Sequence, residues 1–226
     1  MIELQAVRKV YNEGKPHELT AVDGVTLTVE DRKVTVFKGP SGSGKTTLLS
    51  LVGCITRPTE GRIRLDGREI TSLPERFLTE VRRSTFGFVF QHFNLVKGIS
   101  VIENVMLPAY PLGEPHGGLL RRAGELLDLF GLGPRAQSRA EWLSGGESQR
   151  AAIARALMND PAVIIADEPT AHLDTRLSRE FMDIVARLKA GGKTVVIASH
   201  DPLVCDATSV DRVVSMRDGR IEAPGR

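Results

Sequence analysis

Eight residues in a row, Gly39-Pro40-Ser41-Gly42-Ser43-Gly44-Lys45-Thr46, fit the pattern G-x-x-x-x-G-K-[ST], a loop that cradles phosphate groups. The residue types supply the chemistry. Gly42 and Gly44 carry no Cβ, so the backbone can turn tightly and aim several N–H groups at phosphate oxygens. A helix starting at the loop adds partial positive charge from its N-terminus. Lys45 then reaches the β- and γ-phosphates of a nucleoside triphosphate, and the Thr46 hydroxyl holds Mg²⁺. Further along, Asp167-Glu168 closes the apolar run Val163-Ile164-Ile165-Ala166. A central parallel strand delivers carboxylates in this way to the carboxyl edge of a sheet, where open α/β proteins bind ligands. Behind a phosphate loop, the pair predicts Asp167 directed to Mg²⁺ and Glu168 beside the point of attack.

The elements that must position these groups are legible around them. Val34-Thr35-Val36-Phe37 reads as a buried strand before the loop, and Thr47-Leu48-Leu49-Ser50-Leu51-Val52 opens a helix after it. Upstream, Val25, Leu27 and Val29 alternate with Thr26 and Thr28, and the polar stretch from Val10 to Ala21 with Gly14 and Pro16 predicts a hairpin loop starting at Tyr11. Gly61 to Gly67 predicts a strand ending in an Asp-Gly turn, and Pro74 opens a helix running through Arg83. Phe86-Gly87-Phe88-Val89-Phe90 is a further apolar strand, which delivers Gln91 at its end. From about residue 92 to 149, prolines and glycines punctuate helical pieces such as Leu119 to Phe130, so an inserted helical subdomain is expected.

Within Leu143-Ser144-Gly145-Gly146-Glu147, Ser144 and Glu147 form a capping box ahead of a helix from Ser148 to Met158. That is either a plain helix cap or a ready anion site. An amphipathic helix is expected from Arg176 to Ala190, closed by Gly191-Gly192. Thr194 to Ser199 is another buried strand, ending at His200, and two short strands flank Asp218-Gly219. Alternating strands and helices predict an α/β fold with a mostly parallel sheet, an N-terminal antiparallel β subdomain and the inserted helices. The implied division places the core in residues 1–91 and 150–226 and the helical subdomain in 92–149.

Bulk properties narrow the function class. The chain has 226 residues, 41% hydrophobic and 26% charged, enough for one substantial core. Thirty basic against 28 acidic residues leave a net charge of +2, no electrostatic case for nucleic acid. No apolar run approaches the ~20 residues of a membrane span, and the first residues lack a signal-peptide layout. Cys54 and Cys205 suit a reducing compartment as packing residues. A cytosolic chain is expected, whose work at a membrane needs another subunit.

The order of the phosphate loop, Gln91, Leu143-Ser144-Gly145-Gly146-Glu147, Asp167-Glu168, Leu173-Asp174 and His200 resembles the nucleotide-binding subunit of an ABC transporter, over essentially the whole chain. The resemblance implies an ATP- and Mg²⁺-dependent hydrolase. Tyr11 matches an aromatic that stacks on adenine, and Gly39, Pro40, Ser41, Gly42, Ser43, Gly44, Lys45, Thr46 and Thr47 match the triphosphate cradle. Gln91 matches a glutamine that contacts Mg²⁺ and the attacking water, Glu168 the general base, and His200 the histidine on the γ-phosphate. Ser144, Gly145, Gly146 and Glu147 match the signature that meets ATP held by the opposite subunit, and Asp174 an aspartate that reaches across the dimer. A homodimer sandwiching two ATPs is implied, with integral membrane permease subunits as partners and a seat on the inner face of the cell membrane.

Tyr11 with Leu19-Thr20-Ala21-Val22, Phe90 to Leu95, and Glu103 to Pro108 further resemble the lipoprotein-releasing and macrolide-exporting subfamily. Leu95 to Leu107 is then either a groove for a coupling helix or subdomain core, and both can hold at once. The chain departs from the family's usual residues at Lys38, Ser148, His172 and Ser199. Two rival readings exist: a soluble ABC ATPase acting on nucleic acid or the ribosome, and a non-hydrolysing docking module. The near-neutral charge speaks against the first, and intact Lys45, Glu168 and His200 against the second. His172 can make dimer contacts or make turnover pH-sensitive near neutrality, since an unperturbed histidine has a pKa of about 6.5; a pH–rate profile unchanged in His172→Gln would end the second idea.

Overall fold

The computed structural model describes residues 1–171 and 173–222. In chain order the elements are β1 (Ile2–Tyr11), β2 (Leu19–Val29), β3 (Val34–Lys38), α1 (Lys45–Val52), β4 (Glu60–Leu65), β5 (Arg68–Glu69), α2 (Glu75–Thr85) and β6 (Phe86–Val89). Then follow α3 (Val101–Met106), α4 (His116–Leu129), α5 (Gly145–Leu157), β7 (Val163–Asp167), α6 (Thr175–Ala190), β8 (Thr194–Ser199), α7 (Pro202–Cys205), β9 (Arg212–Arg217) and β10 (Arg220–Ile221). Among the described residues no helix is long and apolar enough to cross a membrane.

Two sheets organise the chain. One has four antiparallel strands in the order β2-β1-β4-β5, with Ile2 opposite both Val29 and Leu65. The other has six strands in the order β10-β9-β3-β8-β7-β6, parallel throughout except at the β9–β10 hairpin. The runs that compose its middle are short, β-branched and apolar without alternation, as burial on both faces demands. All six residues of β8 are buried, as are Val34 to Phe37 in β3.

Register decides what meets at the carboxyl edge. Lys38 pairs with Ser199, Asp167 with Ala198 and Val89 with Ala166. The loops that leave β3, β8, β7 and β6 therefore emerge side by side, carrying in turn Lys45, His200, the Asp167-Glu168 pair and Gln91. Crossover helices make this possible, because parallel neighbours cannot be joined by tight turns.

Three apolar clusters hold the layers together. The first lies between the two sheets and around α1, with Phe37, Leu48 and Ile2 fully enclosed. The second covers the opposite face of the parallel sheet with α5 and α6. The third fills the helical insert between α3, α4 and α5. Of the apolar stretch Leu95 to Leu107, Val101, Ile102, Val105 and Met106 are buried in this third cluster, while Val96 is exposed. Helix α5 serves two clusters: Ala152, Ile153 and Ala156 face the second, Ala151, Ala154 and Met158 the third. It begins at Gly145 and runs unbroken past residue 150, so the sequence-based boundary between insert and core falls inside one helix. Cys54 and Cys205 are both free and buried, and burial pushes the Cys54 thiol up to about 11.

The approach of β6 to α5 is backbone to backbone. A Cβ on Gly87 would stand 2.2 Å from the Ala156 carbonyl oxygen, whereas one on Gly124 in α4 meets nothing within 4 Å. Gly87→Ala is expected to cost about 1–3 kcal/mol through forced separation of strand and helix. Gly124→Ala should instead gain ~0.5–1 kcal/mol, because it restricts only the unfolded chain. Urea unfolding midpoints of the two variants, moving in opposite directions, check this.

Candidate active site

The sequence Gly39 to Gly44 folds as a loop leading into α1 because its glycines sit where side chains cannot. Gly44 caps α1 in the left-handed region at φ +96°, and a Cβ there would lie 2.3 Å from the Ala21 carbonyl oxygen. At Gly39 a Cβ would fall 2.3 Å from the Met216 carbonyl oxygen. The loop is thus pressed between the N-terminal sheet and β9. The turn of the C-terminal hairpin closes it from the side, the Gly219 N–H donating to the Ser43 carbonyl at 3.1 Å.

Inside this cradle Lys45 is buried, and its Nζ donates to the carbonyls of Gly39 at 2.7 Å and Pro40 at 3.0 Å. It also lies 3.4 Å from Glu168 Oε1. Glu168 stands one residue past β7 in a left-handed conformation, φ +43°, with its N–H donating to the Ala198 carbonyl. A non-glycine residue there is uncommon. The conformation turns the carboxylate off the line of the strand, where His200 Nδ1 lies 3.0 Å from Oε2. Lysine, glutamate and histidine thus form one contiguous row.

Thr46 Oγ1 donates to Asp167 Oδ1 at 3.0 Å. Burial pushes the Asp167 carboxyl above its ordinary value; the Thr46 hydroxyl opposes that, the Glu168 charge adds to it, and Lys45 opposes it. A hydroxyl beside a desolvated carboxylate is a fitting donor set for a hard cation completed by phosphate oxygens and water. Among the described residues the Ser43 hydroxyl, buried in the same loop, has no hydrogen-bond partner, an orphan that a phosphate oxygen would satisfy.

Of these groups, Ser43, Lys45, Thr46, Glu168 and His200 line a cleft of about 550 Å³ that also takes in Tyr11, Ser41, Gly42, Thr47 and Gln91, while Asp167 stands behind Thr46 outside the lining. Tyr11 is about two-fifths exposed at the mouth, with Lys9 Nζ 5.1 Å from its ring centre. Of the residues expected at the nucleotide, Gly39 and Pro40 face Lys45, and Ser43, Gly44, Lys45, Thr46, Glu168 and His200 share the cleft. The lining also includes Leu19, Thr20, Ala21, Asp218 and Gly219, which sequence reasoning did not assign to it. Nothing local marks them; they arrive through the meeting of two sheets.

Ser144, Gly145, Gly146, Glu147 and Asp174 do not line this cleft. They form a second group at the starts of α5 and α6. Ser144 and Glu147 make the predicted capping box, Ser144 N–H to Glu147 Oε2 at 2.8 Å and Glu147 N–H to Ser144 Oγ at 3.3 Å. The Ser144 backbone and hydroxyl hold the Glu147 carboxyl below its ordinary value, and Arg135 adds to the effect. Asp174 caps α6 by accepting from the Leu177 N–H, and the Leu177 side chain packs where a Gly146 Cβ would be, 2.7 Å away. Ser144 and Gly145 are exposed, with nothing within 4 Å of a Gly145 Cβ.

Among the unusual positions, Lys38 is exposed and outside the cleft lining. Ser199 is buried and its hydroxyl accepts from the Asp201 N–H at 3.1 Å, holding the turn after His200. Ser148 continues α5, donating its N–H to the Ser144 carbonyl. His172 lies outside the described residues.

A parallel sheet with a phosphate loop, an acidic pair and a histidine at its carboxyl edge defines a P-loop nucleotide-hydrolase core. A family model described as "ABC transporter" matches residues 22–171. An uncharacterized ABC transporter ATP-binding protein of Thermotoga maritima is 44% identical over 222 residues, 98% of this chain and 94% of that protein. The macrolide export ATP-binding/permease protein MacB of Rhodospirillum rubrum is 44% identical over all of this chain, which spans 34% of that protein's length. Among solved structures, the dimeric post-hydrolysis cassette MJ0796 bound to ADP and Pi superposes with a TM-score of 0.90 at 36% identity, covering 100% of this chain and 98% of its own. The chain belongs to the ABC transporter family, as an ATP-binding cassette of the ATPase type.

The raised Asp167 carboxyl carries a sign. Its folded pKa lies above the unfolded value near 3.9, so ionisation disfavours the fold, and the penalty is complete once pH exceeds the folded value. Asp167→Asn is therefore expected to melt higher than the parent at pH 7 without nucleotide, and the difference should vanish toward pH 3. Thermal melts at the two pH values check it.

Proposed function

We propose that this cassette binds Mg-ATP in the cleft between Tyr11 and Lys45, closes on a second copy over two nucleotides, and hydrolyses them to drive a membrane permease. The observation that carries this reading is the separation of two intact half-sites in one chain. Lys45, Glu168 and His200 converge in the cleft, while Ser144, Gly145, Gly146, Glu147 and Asp174 gather elsewhere with the signature turn uncovered. Two chains stacked head to tail would bring the signature group of one onto the ATP held in the cleft of the other. The division of labour proposed within each chain sets residues 1–91 and 150–226 as the core and 92–149 as the helical part, with α5 joining them.

In this reading the free site neutralises itself, and substrate replaces the internal partners. The Lys45 ammonium leaves the Gly39 and Pro40 carbonyls for the β- and γ-phosphates, along with N–H groups of Ser41 to Thr47. Glu168, released from Lys45, accepts a proton from water as the water oxygen bonds to the γ-phosphorus and the bond to the β–γ bridging oxygen breaks. ADP departs with that oxygen. His200 donates to the γ-phosphate and holds Glu168 in place, and Gln91 orients the water. Thr46, Asp167 and Gln91 would hold Mg²⁺, which when bound would supply neutralisation of triphosphate charge. Tyr11 stacks on adenine. The partner's Ser144 to Glu147 turn closes on the γ-phosphate through its free helix N-terminus.

The likeness to macrolide-export proteins, whose names join ATP-binding and permease, supports a permease partner of that kind and a cytoplasmic seat on the inner face of the membrane. Lys45→Ala is expected to abolish ATP binding. Glu168→Gln should bind ATP and form a stable dimer, with hydrolysis down by at least ~100-fold, in line with loss of a general base. Near-normal turnover by Glu168→Gln in a phosphate-release assay would overturn the assignment.

A further inference from the structure

The segment after Gln91 holds an unusual backbone. Phe93 and Asn94 are consecutive non-glycine residues in the left-handed region, at φ +58° and +48°. L-residues adopt it in succession only when surroundings enforce it. The enforcement comes from α5. Arg155, 9% exposed, sends Nη1 to the Asn94 carbonyl at 2.6 Å and Nη2 to the Phe93 carbonyl. Among the described residues no carboxylate forms an ion pair with Arg155, and burial alone holds its pKa below the ordinary value. A buried guanidinium without a counter-ion is costly, so its two carbonyl acceptors carry the compensation. Only a planar fork can serve both carbonyls at once.

The rest of the segment is tied to the helical insert. Asn104, fully buried in α3, accepts from the Val96 N–H at 2.7 Å and donates to the Val96 carbonyl at 3.0 Å and the Ser100 carbonyl at 3.1 Å. Gln91 therefore has β6 on one side and, within three residues, a chain clamped to the helix capped by Ser144. We propose that Arg155 is a positioning residue for hydrolysis: its fork on the Phe93 and Asn94 carbonyls makes the placement of Gln91 follow the signature helix. This rests on the role given to Gln91 above. Arg155 touches neither nucleotide nor water; it acts by fixing the loop that carries the glutamine. Engagement of the Ser144 turn by a second copy is then felt at the first copy's Gln91 through a rigid helix and two hydrogen bonds.

The test is a kinetic cycle on the full chain with Mg-ATP, using Arg155→Lys, Gln91→Ala and the double variant. Arg155→Lys keeps charge but loses the fork; kcat should fall ~10- to 100-fold, as for a catalytic group displaced by about an ångström. KM should change far less than kcat, because the phosphate loop and Lys45, which Arg155 does not touch, carry most of the nucleotide binding. The double variant should be no slower than Gln91→Ala alone, since both changes remove the same placement. Met158→Ala, a buried truncation on the same side of α5, serves as the structural comparison: it should lower Tm while leaving kcat near the parent's. A slow Gln91→Ala combined with multiplying effects in the double variant, or with an unchanged kcat in Arg155→Lys, overturns this inference alone. A normal kcat in Gln91→Ala overturns the role of Gln91 and this inference with it. Should Arg155→Lys fail to fold, hydrogen exchange on Glu168→Gln decides. Protection of residues 92–96 and 150–158 should change together on adding ATP, and a change confined to one of them sinks the idea.

Discussion

A buried ammonium must find oxygen atoms, and Lys45 finds them on two separate pieces of chain. Two carbonyls come from its own loop and one carboxylate from the end of β7. That demand fixes much else. The carbonyls can point inward only if the loop's glycines accept the close approach of Ala21 and Met216. The carboxylate can arrive only if β7 lies one strand away from β3, across β8. The same strand order brings His200 against Glu168. At rest Lys45 and Glu168 pair while both are largely buried, where such pairings are stronger than in water. An incoming triphosphate must outcompete these internal partners, and its negative charge suits it to do so.

Helix α5 is the second organising element. Its alanines let it pack closely on both sides, against the sheet through Ala152 and Ala156 and against the insert through Ala151 and Ala154. Close packing gives it reach. Gln149 is buried and donates to the Pro169 carbonyl, just past Glu168, while Arg155 holds the loop past Gln91. The helix that begins at the signature turn therefore touches the loops of both residues proposed to handle water. A rigid element with contacts at two loops has few ways to move without moving both of them.

Much of this molecule was legible in the order of its residues, for local reasons. A phosphate loop is a contiguous backbone shape dictated by glycines; a capping box is a reciprocal bond between residues three apart; a buried strand announces itself as an unbroken β-branched run. Hence the cap at Ser144 and the strands ending at Asp167 and Ser199 stand where the sequence puts them, and the helix after the phosphate loop follows it, starting at Lys45 rather than the expected Thr47. Helix ends shifted by a few residues where caps outrank periodicity, as at Gly145 against the expected Ser148.

Only the tertiary structure decided who meets whom. Glu168 and His200 are 32 residues apart and touch because β7 and β8 are register-matched neighbours. Gly219 closes a loop 176 residues before it, at Ser43, because the terminal hairpin extends the parallel sheet beside β3. Arg155 reads in sequence as one more helix residue, and its fork on Phe93 and Asn94 follows from the helix crossing behind β6. The physical reason is one of range. Backbone sterics and hydrogen-bonded turns act over a few residues and leave a mark in composition and spacing, whereas strand order and helix contacts come from burying apolar surface, which many side chains satisfy alike. The sequence alone determined the chemistry available; packing decided which groups share a cleft and which are left facing outward, toward a second copy.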